Sequence, residues 1–507
     1  MTDPHSKMPL FIRLYYLYYI KRKDAKLHCS FGTGLGYGAQ FATPPYLPHR
    51  PHGIIVGHDA KVGAGCIIYH QVTIAGGNVV IGDRTELGAG AKVLPNVKIG
   101  NFCHVGANAV VVEDMPDHST CVMQKPRIIL IMKPKLFITT TIPLTFIFFK
   151  GQPQLWKEEY DVCAISSEPD NLKKFAEEEG IRYKHIPMKR EISLFADVVS
   201  LFRWIWLLLK ERPYIVHGNT PKAALLSMVA AWITRRPVRI YMCHGLRYHG
   251  TQGKLRKLLM MMEKITCGCA THVISVSKGV ANVMINDGLC PKEKMEVVGF
   301  GSAGGVDIER YSPNIIESNV RNEINISEDA FVFAFVGRIV KDKGINELVA
   351  AFDNINKKYP NTHLLLVGPV ETVQNPVDKS TFRTIEKNEN IHAVGMQKDV
   401  RPYLKASDAF ILPSYREGFG MVLIEAGAMG LPCITTDITG CNEIIVPGEN
   451  GAIIEPRNME ALREEMEKWV SNPDMVKKMA CNARKMVSER YDNRIVREHY
   501  FEFYKRL

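Results

Sequence analysis

The sequence predicts a multidomain protein, in which a triangular coil of parallel strands precedes two doubly wound, Rossmann-like α/β halves. Aliphatic residues recur every six positions between Val56 and Val111, a period that fits neither an amphipathic helix nor a simple strand. After Met132, strand-like runs alternate with helical ones, which is the pattern of β-α-β units in a parallel sheet. The 507 residues are enough for about three domains at ~150 residues each.

The composition is that of an ordinary globular protein, with 46% hydrophobic and 23% charged residues. The longest apolar run, residues 136–149, is shorter than the ~18 residues that a membrane span requires. Another apolar stretch, residues 10–20, is interrupted by Arg13 and has no small-residue cleavage site after it. We therefore expect a cytoplasmic protein without a secretory signal, whose twelve scattered cysteines are reduced.

The net charge of +11 is concentrated in one stretch. Residues 184–264 carry fifteen Lys and Arg against four Asp and Glu, which equals the excess of the whole chain. The stretch is either a solvated helical surface or a face for an anionic partner such as a phospholipid surface. Nucleic acid is not expected as a partner, because no nucleic-acid reading motif accompanies the charge.

The six-residue repeat predicts how the coil is built. Each side of the triangle places one aliphatic residue in the core and turns a corner on a small residue, and stacked coils bury a continuous core that no single repeat could bury. One extra residue interrupts the period after Ile74. The predicted core positions are Val56, Val62, Ile68, Ile74, Ile81, Leu87, Val93, Ile99, Val105 and Val111.

Residues 30–129 resemble the left-handed β-helix hexapeptide acyltransferases, in particular their serine acetyltransferase-like branch, which includes polysaccharide O-acetyltransferases. The resemblance runs through residues 47–57 (Leu-Pro-His-Arg-Pro-His-Gly-Ile-Ile-Val-Gly), 68–74 and 125–129. It implies a homotrimer that moves acetyl from acetyl-CoA to a hydroxyl group. It also implies a histidine general base, because an alcohol is a poor nucleophile until its proton is taken.

Three histidines are candidates for that chemistry. His49 matches the base of the family if Arg50 is an insertion, and His52 matches it if the corner is redrawn. His70 lies eighteen residues after His52, so these two would stack on successive coils, and a surface ladder without chemistry is the alternative. The resemblance places acetyl-CoA near His70, Gly76, Gly77, Ala89, Lys92, Ala107 and Arg127.

Two departures from the family shape the expected role of the coil. The long helical region that precedes the coil in enzymes of cysteine synthesis is absent, which favours a sugar hydroxyl over free serine as the acetyl acceptor. Residues 121–124 replace the usual glycine-containing run before the closing segment, which bears on CoA binding. A serine acetyltransferase, a non-catalytic trimerisation scaffold and an uncoupled fusion of two neighbouring genes remain alternatives.

The remainder of the chain predicts two α/β halves with a ligand cleft at the carboxyl ends of their strands. We expect a helical segment at 1–30, the coil at 31–131, a first α/β domain at 132–305 and a second one at 306–507 with C-terminal helices. The predicted strands are 136–140, 162–166, 215–217, 239–243, 273–276, 331–336, 364–367, 409–413 and 433–436. The predicted helices are 172–179, 222–233, 345–358, 400–406 and 421–429.

The second half carries a pattern suited to a diphosphate. Residues 416–420 (Arg-Glu-Gly-Phe-Gly) lead directly into a helix, and amides at a helix start favour a phosphate. Arg338 follows one strand, and Lys343 precedes the next helix. The carboxylates of Glu417 and Glu425 could accept hydrogen bonds from sugar and ribose hydroxyls respectively.

Residues 133–507 resemble the retaining family-four glycosyltransferases of the GT-B fold. The matching stretches are 336–344, 366–368, 413–420 with Glu425, 430–433, 443–445 and 450–456. By this resemblance Arg338 and Lys343 hold the diphosphate of a UDP- or GDP-sugar, Glu417 contacts the transferred sugar and Glu425 contacts the ribose. The amides of Gly418, Phe419 and Gly420 add to the donor site, and His244, within residues 242–247, touches the donor sugar.

The expected reaction is sugar transfer in surface or capsular polysaccharide synthesis. No Asp-x-Asp follows a strand, so we expect no metal and assign charge balance at the leaving phosphate to Arg338, Lys343 and the loop amides. The expected acceptor is a saccharide linked to polyprenyl diphosphate. Peripheral contact with the inner face of the cell membrane is predicted from the basic stretch with Trp204, Trp206 and residues 207–209, for which a buried core helix is the alternative.

Overall fold

The computed structural model describes residues 2–123, 133–372 and 375–507. The chain divides into two compact units, residues 1–131 and residues 132–507, and each is described by itself.

The first unit is a coil of two-residue strands in three parallel sheets. Strands one coil apart pair with each other, as Ile55 does with Thr73 and Glu86 with His104. The strand orders are β1-β3-β6-β9, β12-β10-β7-β4 and β11-β8-β5-β2. The strands are β1 (Gln40–Phe41), β2 (Ile55–Val56), β3 (Lys61–Val62), β4 (Ile67–Ile68), β5 (Thr73–Ile74), β6 (Val80–Ile81), β7 (Glu86–Leu87), β8 (Lys92–Val93), β9 (Lys98–Ile99), β10 (His104–Val105), β11 (Val110–Val111) and β12 (Thr120–Cys121).

The structure confirms the predicted core of the coil. All ten aliphatic positions of the repeat are at most 3% exposed. The extra residue after Ile74 shifts the pairing from eighteen to nineteen residues, as between Lys61 and Val80. Thr85 is a buried polar exception, and its hydroxyl donates to the Gly100 carbonyl at 2.9 Å. That bond satisfies the only strong hydrogen-bonding group that this side chain carries into the core.

Helix α1 (Leu10–Lys26) precedes the coil and has none of its side chains buried. Leu10, Phe11, Tyr15 and Tyr18 are each at least 60% exposed. No side chain of this helix is therefore part of the buried core of the first unit.

The second unit contains two parallel sheets. The first has seven strands in the order β15-β14-β13-β16-β17-β18-β19. Its strands are β13 (Lys135–Thr139), β14 (Asp161–Ser166), β15 (Arg182–His185), β16 (Ile215–Asn219), β17 (Val238–Cys243), β18 (His272–Ser275) and β19 (Met295–Glu296). Its helices are α2 (Gln152–Trp156), α3 (Pro169–Glu179), α4 (Leu194–Glu211), α5 (Pro221–Ile233), α6 (Gly253–Cys269) and α7 (Lys278–Asn286), with 3₁₀ turns at Pro143–Phe149, Arg247–Gly250 and Lys292–Lys294.

The second sheet has six strands in the order β22-β21-β20-β23-β24-β25. Its strands are β20 (Phe331–Val336), β21 (Thr362–Val367), β22 (Ile391–Gly395), β23 (Ala409–Leu412), β24 (Cys433–Thr436) and β25 (Gly451–Ile454). The helices are α8 (Val320–Glu323), α9 (Ile345–Lys358), α10 (Lys379–Lys387), α11 (Arg401–Lys405), α12 (Met421–Ala428), α13 (Met459–Ser471), α14 (Pro473–Arg490) and α15 (Asn493–Lys505), with a 3₁₀ turn at Lys341–Lys343.

The last helix returns to the first sheet. In α15 the Tyr504 hydroxyl bonds to Nδ1 of the buried His217, and the Tyr160 hydroxyl donates to the Tyr504 carbonyl at 2.9 Å. Tyr500 donates to the Ser302 carbonyl at 3.0 Å. These bonds join the last helix of the chain to the first half of the second unit.

Among the described residues, no helix combines the length and the apolar character that a membrane crossing requires.

Candidate functional site

The main candidate site is a cavity of about 310 Å³ between the two halves of the second unit. Three strand ends supply its walls: His244 and Gly245 follow β17, Arg338 follows β20, and Glu417 and Gly418 follow β23. Parallel sheets bind ligands at the carboxyl ends of their strands, so this placement is the one expected for a doubly wound pair. The predicted residues His244, Arg338, Lys343, Glu417 and Gly418 all line it.

An ion pair lies in this cavity. The Lys343 ammonium contacts the Glu417 carboxylate, and the two side chains are only 22% and 16% exposed. Arg338 is exposed and makes no hydrogen bond or ion pair with any described residue. Arg416, which also lines the cavity, pairs with Asp342, whereas Arg247 has no such partner among the described residues. The cavity thus offers two cations that are engaged with carboxylates and two that are available to an anion.

Two glycines let the halves approach each other closely. A Cβ on Gly418 would lie 1.9 Å from the His244 carbonyl oxygen, which no side chain tolerates. Gly245 has φ +145°, and a Cβ there would lie 3.1 Å from Gly418 Cα. The backbone of the second half therefore touches the backbone of the first half beside the ion pair, and glycine is required at this contact.

His244 is held as a neutral imidazole. Burial lowers its pKa to about 4, so the ring is uncharged near neutral pH. Its Nε2 lies 3.2 Å from Oδ1 of the buried Asn219, and its ring packs against Phe148 and Phe149. A neutral imidazole fixed in this way can exchange a hydrogen bond with a sugar hydroxyl but adds no charge to the cavity.

The other predicted donor residues lie beside the cavity. The Gly420 amide donates to the Gly440 carbonyl at 2.7 Å, so of the three predicted loop amides those of Gly418 and Phe419 have no hydrogen-bond acceptor among the described residues. Glu425 lies on α12, and burial raises its pKa to about 7 although a hydrogen bond from Tyr311 opposes the rise. Glu425 does not line the cavity.

Sequence analysis assigned no role to several residues in or beside these walls. Arg247, His249 and Thr439 line the cavity, and Asn219 positions His244. Asn219 ends strand β16, and a polar residue at the end of a buried strand was the available signal. Arg247 and His249 lie in the 3₁₀ turn after β17, and Thr439 lies in the loop after β24; neither segment ends a buried strand with a polar residue of this kind.

The coil brings two of its three candidate histidines together. The rings of His49 and His70 are 5.1 Å apart in an edge-to-face arrangement, and His49 also lies 5.7 Å from Tyr69. Nδ1 of His70 is buried without a hydrogen-bond partner among the described residues. The coil of His52 pairs with the coil of His70, since the His52 carbonyl accepts from the Gln71 amide at 2.8 Å. Among the described residues, the His52 ring makes no ring-to-ring contact like that between His49 and His70.

The described residues expected near acetyl-CoA lie at or beside two corners of the coil. One corner follows β4, β7 and β10, and the other follows β5. Ala89 and Ala107 stack at one corner, where the Asn108 amide donates to the Ala89 carbonyl at 2.8 Å. The Lys92 ammonium donates to the Gln71 carbonyl at 3.0 Å, next to His70. The Gly77 amide, beside Gly76, donates to Asp59 at 2.7 Å. Arg127 lies outside the described residues.

Within the described ranges, no three His, Cys, Asp or Glu side chains cluster in a way that could hold a metal ion. Metal independence stays a prediction.

Comparison with known proteins identifies the second unit. Residues 153–310 match the family described as "Glycosyltransferase Family 4", and residues 317–486 match "Glycosyl transferases group 1". The "Capsular polysaccharide biosynthesis glycosyltransferase CapM" of Staphylococcus aureus is 37% identical over 374 residues, which cover 73% of this chain and 96% of the relative. The chain belongs to this glycosyltransferase family.

Two further comparisons agree with that identification. A "UDP-Gal:alpha-D-GlcNAc-diphosphoundecaprenol alpha-1,3-galactosyltransferase" of Escherichia coli is 28% identical over 309 residues, which cover 60% of this glycosyltransferase and 78% of the relative. The crystal structure of Anabaena Alr3699/HepE in complex with UDP superposes with a TM-score of 0.61 at 19% identity, covering 74% of this chain and 100% of that one. The predicted GT-B fold is thereby confirmed.

The coil has a separate match. Residues 78–112 match the family described as "Bacterial transferase hexapeptide (six repeats)". The glycosyltransferase is therefore fused to a hexapeptide-repeat β-helix, as the repeat predicts.

Proposed function

We propose that the second unit transfers a sugar, with retention of configuration, from a UDP- or GDP-sugar to a lipid-linked saccharide in the synthesis of a surface polysaccharide. The Lys343–Glu417 pair in the interdomain cavity is the observation that carries this proposal, because it places a cation and a hydroxyl-accepting carboxylate side by side. The printed function of the S. aureus relative supports the pathway, and the UDP bound to the Anabaena protein supports the donor class.

In this proposal, different cavity residues bind the diphosphate and the sugar of the donor. Arg338 is free to bind the diphosphate, and Lys343 would leave Glu417 to join it, so that two cations balance the charge that develops on the leaving phosphate. Glu417 is then released to accept hydrogen bonds from the sugar. Neutral His244 would hold another sugar hydroxyl from the opposite wall without repelling the two cations.

Metal independence follows from the same arrangement. If two cations and the Gly418 and Phe419 amides balance the phosphate charge, EDTA leaves sugar transfer unchanged. Loss of activity in EDTA with recovery in manganese would refute this part of the proposal.

The activity is tested by nucleoside diphosphate release from a panel of nucleotide sugars. Lys343→Met should lower the rate by at least about 100-fold, because it removes a charge-assisted contact that strengthens in the transition state. Lys357→Met is the matched control, since Lys357 lies on the exposed side of α9 and pairs with Asp353. Equal rates for the Lys343→Met variant and the wild type would contradict the proposal.

Two observations support a lipid-linked acceptor: the printed name of one relative and an exposed apolar face of helix α4. The printed name of the E. coli relative specifies an undecaprenyl-diphosphate-linked acceptor for that protein. In this chain the outer face of α4 is apolar and exposed, with Phe195 84%, Phe202 66% and Trp206 63% accessible. Basic residues Arg203 and Lys210 flank this face, which suits peripheral contact with an anionic inner membrane leaflet.

We further propose that the coil is an acetyl-CoA-dependent O-acetyltransferase that acts as a homotrimer. The contact between His49 and His70 supports it, because paired imidazoles on a coil surface can orient one ring as a base. Release of free CoA should depend on a saccharide acceptor and be lost in His49→Ala. His118→Ala is the control, since His118 stacks on Phe102 at another corner.

The alternatives for the coil give different outcomes in the same assay. CoA release that depends on serine would identify a serine acetyltransferase. Absence of release with any acceptor, from a trimeric and folded chain, would leave the coil as a trimerisation scaffold.

A further inference from the structure

A second cavity, of about 360 Å³, lies in the first half of the second unit. Four loops that follow strands β13, β15, β16 and β17 form it, so it opens at the same sheet edge as the main cavity. Arg247 lines both cavities. A molecule in the second cavity would therefore lie next to the sugar-transfer site.

Three cations line this cavity, and two of them are unengaged. The Lys222 side chain is nearly buried. Its ammonium pairs with the Asp197 carboxylate at 2.8 Å and donates a hydrogen bond to the Glu191 carbonyl. Arg190 and Arg247 are exposed and make no hydrogen bond or ion pair with the described residues. Two free guanidinium groups on one cavity suit a ligand with two negative charges, because guanidinium binds phosphate in a bidentate manner.

The rest of the wall is apolar. Ile142, Ile192, Leu259 and Met262 line the cavity between the cations. Two residues after Ile192 in the chain, Leu194 begins the exposed apolar face of α4 together with Phe195, and the two are 82% and 84% accessible. Apolar surface thus continues from the cavity to the face that we propose contacts the membrane.

We propose that this cavity binds the diphosphate of a prenyl-diphosphate-linked acceptor, with Arg190 and Arg247 as its anion ligands. A diphosphate esterified at both ends carries two negative charges, one for each free guanidinium group. The prenyl chain leaves across Ile192 toward α4, and the linked sugar points past Arg247 into the main cavity. This inference rests on the proposed sugar transfer and adds the cavity and the residues that bind the acceptor diphosphate.

The test is binding of a farnesyl-diphosphate-linked hexose to the full chain by calorimetry, with inorganic diphosphate and UDP as separate probes. Arg190→Gln should weaken binding of the lipid-linked probe at least tenfold and leave UDP affinity unchanged. Lys189→Gln is the matched control, because Lys189 is the exposed neighbouring cation and does not line the cavity. Its affinity for the probe should stay within twofold of the wild type.

Several results would overturn the inference. Wild-type affinity in Arg190→Gln would do so, as would absence of binding by the wild type. Displacement of the probe by UDP together with loss of binding in Arg338→Gln would place the diphosphate in the donor cavity instead. If the inorganic diphosphate bound as tightly as the lipid-linked probe, the apolar wall would have no role and the lipid assignment would be wrong.

The inference and the proposed function fail separately. Sugar transfer to a water-soluble acceptor by a chain that does not bind the lipid probe would refute only the inference. Binding of the probe that depends on Arg190, in a chain that releases no nucleoside diphosphate from any nucleotide sugar, would support the site and refute the proposed sugar transfer.

Discussion

Gly418 and Gly245 set the distance between the two halves of the glycosyltransferase. Gly418→Ala would place a methyl group 1.9 Å from the His244 carbonyl oxygen, so the halves must separate beside the Lys343–Glu417 pair. A small displacement of catalytic groups costs about 100-fold in rate. We expect sugar transfer to fall by that order while the second unit still unfolds cooperatively, as measured by kinetics and thermal melting.

Gly268 provides the control for the Gly418→Ala variant. Gly268 lies within helix α6, where an added methyl group would meet no atom within 4 Å beyond the adjacent helix backbone and the backbone has no positive φ. Gly268→Ala should leave activity unchanged and stabilise the helix by up to about 1 kcal/mol. Full activity in Gly418→Ala would show that the close contact between the halves is not needed.

His217 makes the stability of the second unit depend on pH. Burial lowers its pKa to about 3, whereas the unfolded residue titrates near 6.5. Below pH 6.5 the unfolded chain binds a proton that the folded chain does not, so stability present above pH 6.5 is lost as the pH falls. By pH 5 this amounts to about 2 kcal/mol.

Urea unfolding followed by tryptophan fluorescence measures the effect, because all five tryptophans lie in the second unit. His217→Gln should flatten the fall in unfolding free energy between pH 7 and pH 5 by about 2 kcal/mol. His185→Gln, at an exposed position, should not flatten it. The same pH dependence in His217→Gln and the wild type would contradict the assignment.

At the residue scale, the sequence predicts which side chains line the cavity better than it predicts which side chains pair with one another. Arg338, Lys343 and Glu417 were found because each follows a strand or precedes a helix, whereas His244 came from the resemblance of residues 242–247 to the glycosyltransferase family. The engagement of Lys343 by Glu417 could not be predicted, because it depends on how two loops 74 residues apart meet. The contact of His49 with His70 likewise depends on how the inserted residue is accommodated at the corner.

At the scale of elements, α4 has two faces with different roles. Trp204, Leu207 and Leu208, which entered the membrane prediction, are buried against the first sheet. Phe202, Trp206 and Leu209 face outward. The interpretation as a core helix therefore holds for one face, and membrane contact by the exposed face stays a prediction.

Flotation with anionic liposomes tests the outer face of α4. The double variant Phe202→Glu, Trp206→Glu should reduce the floating fraction at least fivefold, since two aromatic side chains are replaced by charges that an anionic surface repels. Phe382→Glu is the control, because Phe382 is 41% exposed on a helix of the other half. Equal flotation of the double variant and the control would remove the membrane contact from the account.

Most elements of the second unit were predictable from alternating patterns. Strands β20 and β24 and helix α9 begin and end at the predicted residues. The predicted ranges did not include strands β15, β19, β22 and β25 or helices α2, α4, α6, α7, α8, α10 and the three C-terminal helices. For α6 the reason is physical: its outer face carries Leu255, Leu258, Met261 and Ile265, all exposed, so its polar and apolar faces are hard to separate by sequence period.

At the scale of the whole molecule, the chain combines a β-helix with a two-lobed transferase. The coil was predictable from its period alone, because every core position of a stacked coil repeats. The chemistry that we propose for it could not be predicted from the period, because the candidate histidines lie at corners where the repeat sets no residue type. How the coil contributes to the transferase is therefore a question for activity measurements.

The most direct test of the account is transfer of a radiolabelled sugar from nucleotide sugars to a prenyl-diphosphate-linked saccharide by the full chain in EDTA. The account predicts a labelled, lipid-extractable product whose new glycosidic bond keeps the anomeric configuration of the donor. It also predicts loss of that product in Lys343→Met and its retention in Lys357→Met. Inversion of configuration, or equal product from Lys343→Met and the wild type, would contradict the central claim that the Lys343–Glu417 cavity performs retaining sugar transfer.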